Sequence, residues 1–279
     1  MKVIKLLLTT ALLGYCSHFA LASGGEELCQ EGDNSCTFVL LTESIKVNTS
    51  NKGHTSTVNE GRANTQLSPF STFKVANSLI GLDLGVIKNT KQVLTYDEKA
   101  YPKQAWWPSV WKLPHYDLTT AFKYSMVAIY RQLATDIGEG NMTSYLNKMH
   151  YGNQDISSGL DDFWLNGSLK ISAVEQIGFL QKTYHNQFGF KKEAIESLKA
   201  VMLTETKPNY RLFAKTGAGK RDDGTMLGWY IGFVENSAGV HFFAFNFDSP
   251  SYGEMKAKRI KQARSHLRHA GIIPMAINM

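Results

Sequence analysis

The sequence predicts an α+β fold, an antiparallel β-sheet flanked by terminal helices with an all-helical lobe inserted. Two observations carry this: strand-like runs sit near both ends of the chain, and helical periodicity fills the middle. A third sets the scale. The 279 residues, 43% apolar and 19% charged, show no internal repeat, low-complexity tract or Pro/Gly-rich linker, so one domain with two lobes is expected.

The amino terminus reads as an address. Lys2 and Lys5 precede the apolar run from Leu6 to Leu13, and Ala20-Leu21-Ala22 supplies small residues where a signal peptidase cuts. Residues 1–22 are therefore expected to be a signal peptide and 23–279 the mature domain. The apolar run is too short for a permanent membrane span, and a lipid anchor on Cys16 would need a small residue where bulky Tyr15 stands. Export to the periplasm or medium makes Cys29 and Cys36 an even pair in an oxidising compartment, which suggests a small disulfide loop.

Thr37 to Leu41 reads as a strand that Ile45-Lys46-Val47 continues in a hairpin, and the polar stretch Asn48 to Gln66 reads as turns. Ser68-Pro69 signals a helix start, followed by an apolar stripe from Phe73 to Leu82 that ends near Gly85. Thr119 to Ile137, Met142 to Lys148 and Ala173 to Thr183 repeat apolar residues at helical spacing, with a Gly/Ser/Asn/Asp loop from Tyr151 to Asn166 between the last two. Tyr210 to Ala214, Met226 to Val234 and Val240 to Phe247 then read as strands, and Ala257 to Ala270 as a closing helix.

Ser71 and Lys74 stand at i and i+3 at the start of a helix, which places an amine beside a hydroxyl one turn back. Such a pair alone recurs by chance in many chains. Its companions give it weight: Ser125-Met126-Val127 opens an apolar helical stretch, and Lys215-Thr216-Gly217 ends the strand from Tyr210. A lysine and a threonine there can hold a substrate carboxylate, while glycine lets backbone approach the ligand closely. Three elements in this order match the S-x-x-K, S-x-N or S-D-N, and K-T-G series of penicillin-recognising serine enzymes.

With Ser71-Thr72-Phe73-Lys74, Ser125-x-Val127, Tyr151-Gly152-Asn153 and Lys215-Thr216-Gly217 in this order, and Phe163-Trp164-Leu165 between, the chain resembles the class D β-lactamases, the oxacillinases, from about Phe38 to Pro274. The resemblance implies hydrolysis of the β-lactam ring of penicillin-type antibiotics through a Ser71 acyl-enzyme, and thereby antibiotic resistance. It implies that Lys74 takes up carbon dioxide as a carbamate (N6-carboxylysine), the base for acylation and deacylation, with the Trp164 indole as its donor. An apolar surrounding from Phe73, Val75 and Val127 would lower the amine pKa and favour that reaction. It further implies an oxyanion site from the backbone N–H groups of Ser71 and Ala218, proton transfer to the leaving nitrogen through Ser125, and a carboxylate site from Lys215, Thr216 and Arg259. Arg259 is placed by its distance before Ile272-Ile273-Pro274, with Arg264 as the alternative. No metal and no organic cofactor is implied.

Val127 stands where transpeptidases and class A enzymes carry asparagine, and no Glu-x-x-x-Asn lies between Tyr151 and Ser172. A non-hydrolytic β-lactam sensor would carry further membrane helices. Gly217-Ala218-Gly219-Lys220 fails as a phosphate loop, because Ala214 holds the first glycine position and Arg221 replaces the Ser/Thr. His266 and His269 share a helical face but lack a third ligand. Of the formal charge of +6, two units sit on Lys2 and Lys5, which leaves +4. The basic run Lys256, Lys258, Arg259, Lys261, Arg264, Arg268 is expected to be a solvated helix face and not a nucleic-acid stripe. The expected partner is a small β-lactam, with no nucleic acid and no stable membrane insertion; a homodimer is compatible with the sequence. Substrate range depends on the shapes near Trp106, Trp107, Trp111 and Leu165.

Overall fold

Residues 27–44, 53–165 and 167–275 are described by a computed structural model. The expected signal peptide and the hairpin continuation at Ile45-Lys46-Val47 lie outside them. In chain order the elements are β1 (Cys36–Ser44), β2 (His54–Val58), α1 (Glu60–Ala63), a 3-10 turn (Phe70–Phe73), α2 (Lys74–Leu84), α3 (Leu118–Lys123), α4 (Val127–Ile137), α5 (Glu139–Met149), α6 (Ala173–Tyr184), α7 (Lys192–Met202), β3 (Leu203–Lys207), β4 (Tyr210–Lys220), β5 (Met226–Asn236), β6 (Gly239–Ser249) and α8 (Tyr252–His269).

The strands form one antiparallel sheet in the order β2-β1-β6-β5-β4-β3. Both faces of its centre are covered, so the central strands β5 and β6 are largely apolar while successive side chains still alternate. Phe242 and Ala244 of β6 join the core shared with the helical lobe, whereas Phe243, Phe245 and Phe247 join the core under α8. Leu41 and Val39 against Leu40 and Phe38 divide β1 in the same way. Every described helix from α2 to α7 lies between β2 and β3 in sequence, which is the inserted lobe that the periodicity predicts.

Four local expectations are corrected. The polar stretch read as turns contains β2 and α1, because β1 supplies the ladder that the His54–Val58 sequence could not signal alone. The single helix from Thr119 to Ile137 is two, parted at Ser125, whose φ of 53° cannot continue a right-handed helix. The helix after Ser68-Pro69 begins as a 3-10 turn, since Phe70 has φ 46° and α2 itself starts at Lys74. Finally, β4 does not end at Ala214 but runs through Lys215-Thr216-Gly217 to Lys220, paired along its length with β5. Helix α7 and edge strand β3 were not anticipated; β3 is exposed and polar and pairs only with β4.

Cys29 and Cys36 form a disulfide. Its loop is tied down by Asn59, whose amide donates to the carbonyls of Gln30, Asp33 and Cys36, and by His266 Nε2, which accepts from the Cys29 N–H at 3.0 Å. Burial holds His266 neutral, with its pKa down to about 4.

Candidate active site

The Ser71, Ser125 and Lys215 motifs meet where the helical lobe abuts β4. Beyond Phe213, β4 has lost its β3 partner, and the 3-10 turn Phe70–Phe73 packs beside this free stretch. Two glycines make the approach close. A β-carbon on Gly217 would lie 2.9 Å from the Pro69 carbonyl oxygen and 3.0 Å from the Thr72 methyl. One on Gly219 would overlap the Phe70 ring, 1.9 Å from its nearest atom. Glycine is required at both positions by the neighbour, not by the strand.

Ser71 is half-buried at the tip of this turn, and its Oγ accepts a hydrogen bond from Lys74 Nζ at 3.0 Å. Lys74 is fully buried, without a carboxylate partner among the described ion pairs, and sits over the Tyr130 ring at 5.0 Å. Burial alone drives its pKa from 10.5 to about 7, because one hydroxyl and a ring face do not replace the water a charged amine loses. As the first residue of α2 it also meets the positive end of the helix, which disfavours an ammonium and favours an anion there.

Ser125 lies in the left-handed link between α3 and α4, and Lys215 Nζ donates to both its Oγ and the Thr216 carbonyl. Lys215 is pushed well below the ordinary lysine range by burial, with Lys74 and Arg259 adding repulsion. Two serines thus each face a buried lysine held towards the neutral form. Such paired, shifted groups mark a site able to move protons. Val127 opens α4 beside this cluster. It also lines a cavity of about 330 Å³ with Tyr101, Trp106, Trp107, Trp111 and Arg131.

Trp164 is fully buried and packs its ring 5.3 Å from Phe73, the neighbour of Lys74. Its indole N–H makes no hydrogen bond among the described residues, a rare condition for a buried donor. The loop that carries it is closed by Tyr151-Gly152-Asn153. Gly152 has φ 53°, and a β-carbon on it would lie 1.9 Å from the Lys170 carbonyl oxygen. The Asn153 amide accepts from Lys170 N–H and donates to the Ser168 carbonyl. The ion pair of Arg131 on α4 with Asp161 at 2.7 Å ties the same loop to the lobe.

Arg259 on α8 donates to the Gly217 carbonyl at 3.0 Å, and its Nε is buried without a partner. Arg264 is instead engaged by Glu205 at 2.6 Å and by Tyr210, away from the motif residues. The basic run on α8 is therefore not one stripe: Lys258 pairs with Glu254 and Glu27, while Lys256 and Lys261 are exposed. Among the described residues no three His, Cys, Asp or Glu side chains gather as a metal site. Sequence reading missed Gln176, Lys170 and Gly219, whose roles depend on contacts across the fold.

The profile of the penicillin binding protein transpeptidase domain matches residues 35–265. Among curated proteins, the chain is 43% identical to β-lactamase OXA-48 of Klebsiella pneumoniae over 72% of this chain and 73% of that one. It is 36% identical to β-lactamase OXA-10 of Pseudomonas aeruginosa over 92% and 91%. Among solved structures, FUS-1 (OXA-85), a class D β-lactamase from Fusobacterium nucleatum subsp. polymorphum, superposes with a TM-score of 0.75 at 33% identity, covering 85% of this chain and 93% of that one. With its sheet order, inserted helical lobe and paired serine–lysine sites, the chain belongs to the class D β-lactamases.

Proposed function

We propose that this protein hydrolyses the β-lactam ring of penicillin-type antibiotics through an acyl-enzyme on Ser71, and so confers resistance. The observation that carries the reading is the fully buried Lys74 amine, 3.0 Å from Ser71 Oγ and with its pKa lowered to about 7.

A neutral amine adds to carbon dioxide and releases one proton, giving a carboxylate-bearing side chain that can serve as general base. Three features fit that group: the neutral Lys74 amine, the helix N-terminus at Lys74, and the unpartnered indole N–H of Trp164. Phe73 and Val127 contribute the apolar wall. The remaining roles fall to the chain's own groups. Ser71 Oγ, relieved of its proton, bonds to the lactam carbonyl carbon, and the N–H groups of Ser71 and Ala218 stabilise the oxygen that becomes negative. As the ring C–N bond breaks, Ser125 delivers a proton to the nitrogen, and Lys215 stands ready to resupply it. Thr216, Lys215 and Arg259 hold the substrate carboxylate, the arginine through charge-assisted bonds. Water then cleaves the Ser71 ester at the same base.

This activity belongs in the periplasm or medium after removal of residues 1–22, a reading supported by the Lys2/Lys5 and Ala20-Leu21-Ala22 pattern and by the disulfide. No described helix is long and apolar enough to cross a membrane. Hydrolysis of a chromogenic cephalosporin with and without bicarbonate tests the reading. Turnover that rises with bicarbonate and vanishes in Ser71→Ala is expected. Stoichiometric acylation of Ser71 without turnover would point to a sensor.

A further inference from the structure

Gln176, the fourth residue of α6, is fully buried beneath the nucleophile turn and takes no part in the chemistry above. Its Nε2 donates to Thr72 Oγ1 at 2.9 Å. Thr72 Oγ1 in turn donates to the Pro69 carbonyl at 2.8 Å, which also accepts the Thr72 N–H at 3.1 Å. The polarity of this chain is fixed. A carbonyl can only accept, so the threonine proton is committed to Pro69, and toward Gln176 the hydroxyl must accept. The amide therefore presents its nitrogen to Thr72 and its oxygen away from it.

The turn so held is strained, since Phe70 at φ 46° occupies a region that costs a non-glycine residue of order 1 kcal/mol or more. It persists only if its surroundings over-determine it. Pro69 O and the Thr72 methyl are also the two atoms nearest to a β-carbon at Gly217, so they form the surface on which β4 rests. The spacing between the Ser71 and Ala218 N–H groups is thereby set from one side by the Gln176–Thr72–Pro69 chain.

We infer that Gln176 is a positioning residue for the oxyanion site, acting through the Thr72 hydroxyl on the separation of the Pro69–Phe73 turn from β4. The inference rests on Ser71 being the nucleophile. Tyr151 lies beside both Gln176 and Thr72, and its ring packs on Phe73. Its hydroxyl lies close to both polar groups, and its ring braces the turn through Phe73.

The test compares wild type with Gln176→Leu, which removes the donor, Gln176→Glu, which keeps shape but replaces the donor by an acceptor, and Thr72→Val, which removes the acceptor. For each, kcat/KM on a chromogenic cephalosporin, affinity for a boronic acid that mimics the tetrahedral oxyanion, and melting temperature are measured. The expected result is a fall in kcat/KM of about ten- to a hundredfold, the scale of a misplaced oxyanion donor, matched by a similar loss of boronic acid affinity. The double variant Gln176→Leu/Thr72→Val should be no worse than either single variant. Gln176→Glu decides the matter if the leucine variant fails to fold. Wild-type kcat/KM in Gln176→Glu, losses that add fully in the double variant, or a fall in melting temperature without loss of boronic acid affinity would each overturn the inference. Failure of wild-type Ser71 to acylate, seen by mass spectrometry, would instead overturn the functional reading and this inference with it.

Discussion

The Phe70 ring occupies the space over Gly219, so that a β-carbon there would fall 1.9 Å from the ring. Phe70 cannot easily yield, because its own backbone is held in a left-handed conformation immediately before Ser71. Gly219→Ala should therefore force the nucleophile turn and β4 apart. We expect a loss of stability of about 1–3 kcal/mol, the usual cost of overpacking, together with a fall in acylation rate. Urea unfolding and stopped-flow acylation check this. An alanine variant that acylates like wild type would show that the turn and strand are not rigidly coupled.

The two arginines of α8 should behave differently. Arg259 reaches β4 at the Gly217 carbonyl, whereas Arg264 is tied to Glu205 and Tyr210. Arg259→Ala should raise KM about ten- to a hundredfold for substrates that carry a carboxylate, the value of a hydrogen bond to a charged group. Arg264→Ala should leave KM unchanged and lower stability instead. Steady-state kinetics on both variants decides the assignment.

Much of the fold was legible because a sheet covered on both faces must be apolar along its whole length, as β5 and β6 are, and because α6 carries both an apolar stripe and a capping box at Ser172 and Glu175. What escaped was whatever depended on a distant partner. His54–Val58 is a strand only because β1 pairs with it. The break at Ser125 is hidden by apolar residues that keep helical spacing from Thr119 to Ile137; Lys215, ninety positions away, bonds its side chain. The site followed the same division. Ser71, Lys74 and the Lys215-Thr216-Gly217 run could be picked out by spacing, but Gln176 is one more polar residue on an amphipathic helix until Thr72 is placed against it.

Burial of Lys74 makes a prediction about stability and pH. Its pKa falls from 10.5 in the unfolded chain to about 7 in the folded one. Below pH about 7 both states hold the proton, and the cost of the buried charge is fully present. Between there and about 10.5 the unfolded chain binds more protons, so stability rises with pH, by at most about 1.4 kcal/mol per unit. Above that range the cost is gone. Lys215 contributes with the same sign. In bicarbonate-free buffer the unfolding free energy should climb between pH 7 and about 9.5. Lys74→Met should be more stable than wild type at neutral pH and show a shallower slope.

The disulfide lies under α8, on the sheet face opposite the candidate site. With its cysteines seven positions apart, loop-closure entropy assigns it about 2.5 kcal/mol. Changing both Cys29 and Cys36 to serine should lower the melting temperature by roughly 5–10 °C for a chain of this size. Turnover at 25 °C should be unchanged. Calorimetry and a cephalosporin assay on the same preparation measure both.

The central claim is that Lys74 becomes the base by taking up carbon dioxide beside an indole donor. Carbon-13 NMR of protein equilibrated with labelled bicarbonate reads this directly. Wild type should give one carbamate resonance, absent in Lys74→Ala and diminished in Trp164→Phe, which keeps an aromatic ring but lacks the N–H. A wild-type spectrum without that resonance, from protein that still turns over a cephalosporin, would contradict the account.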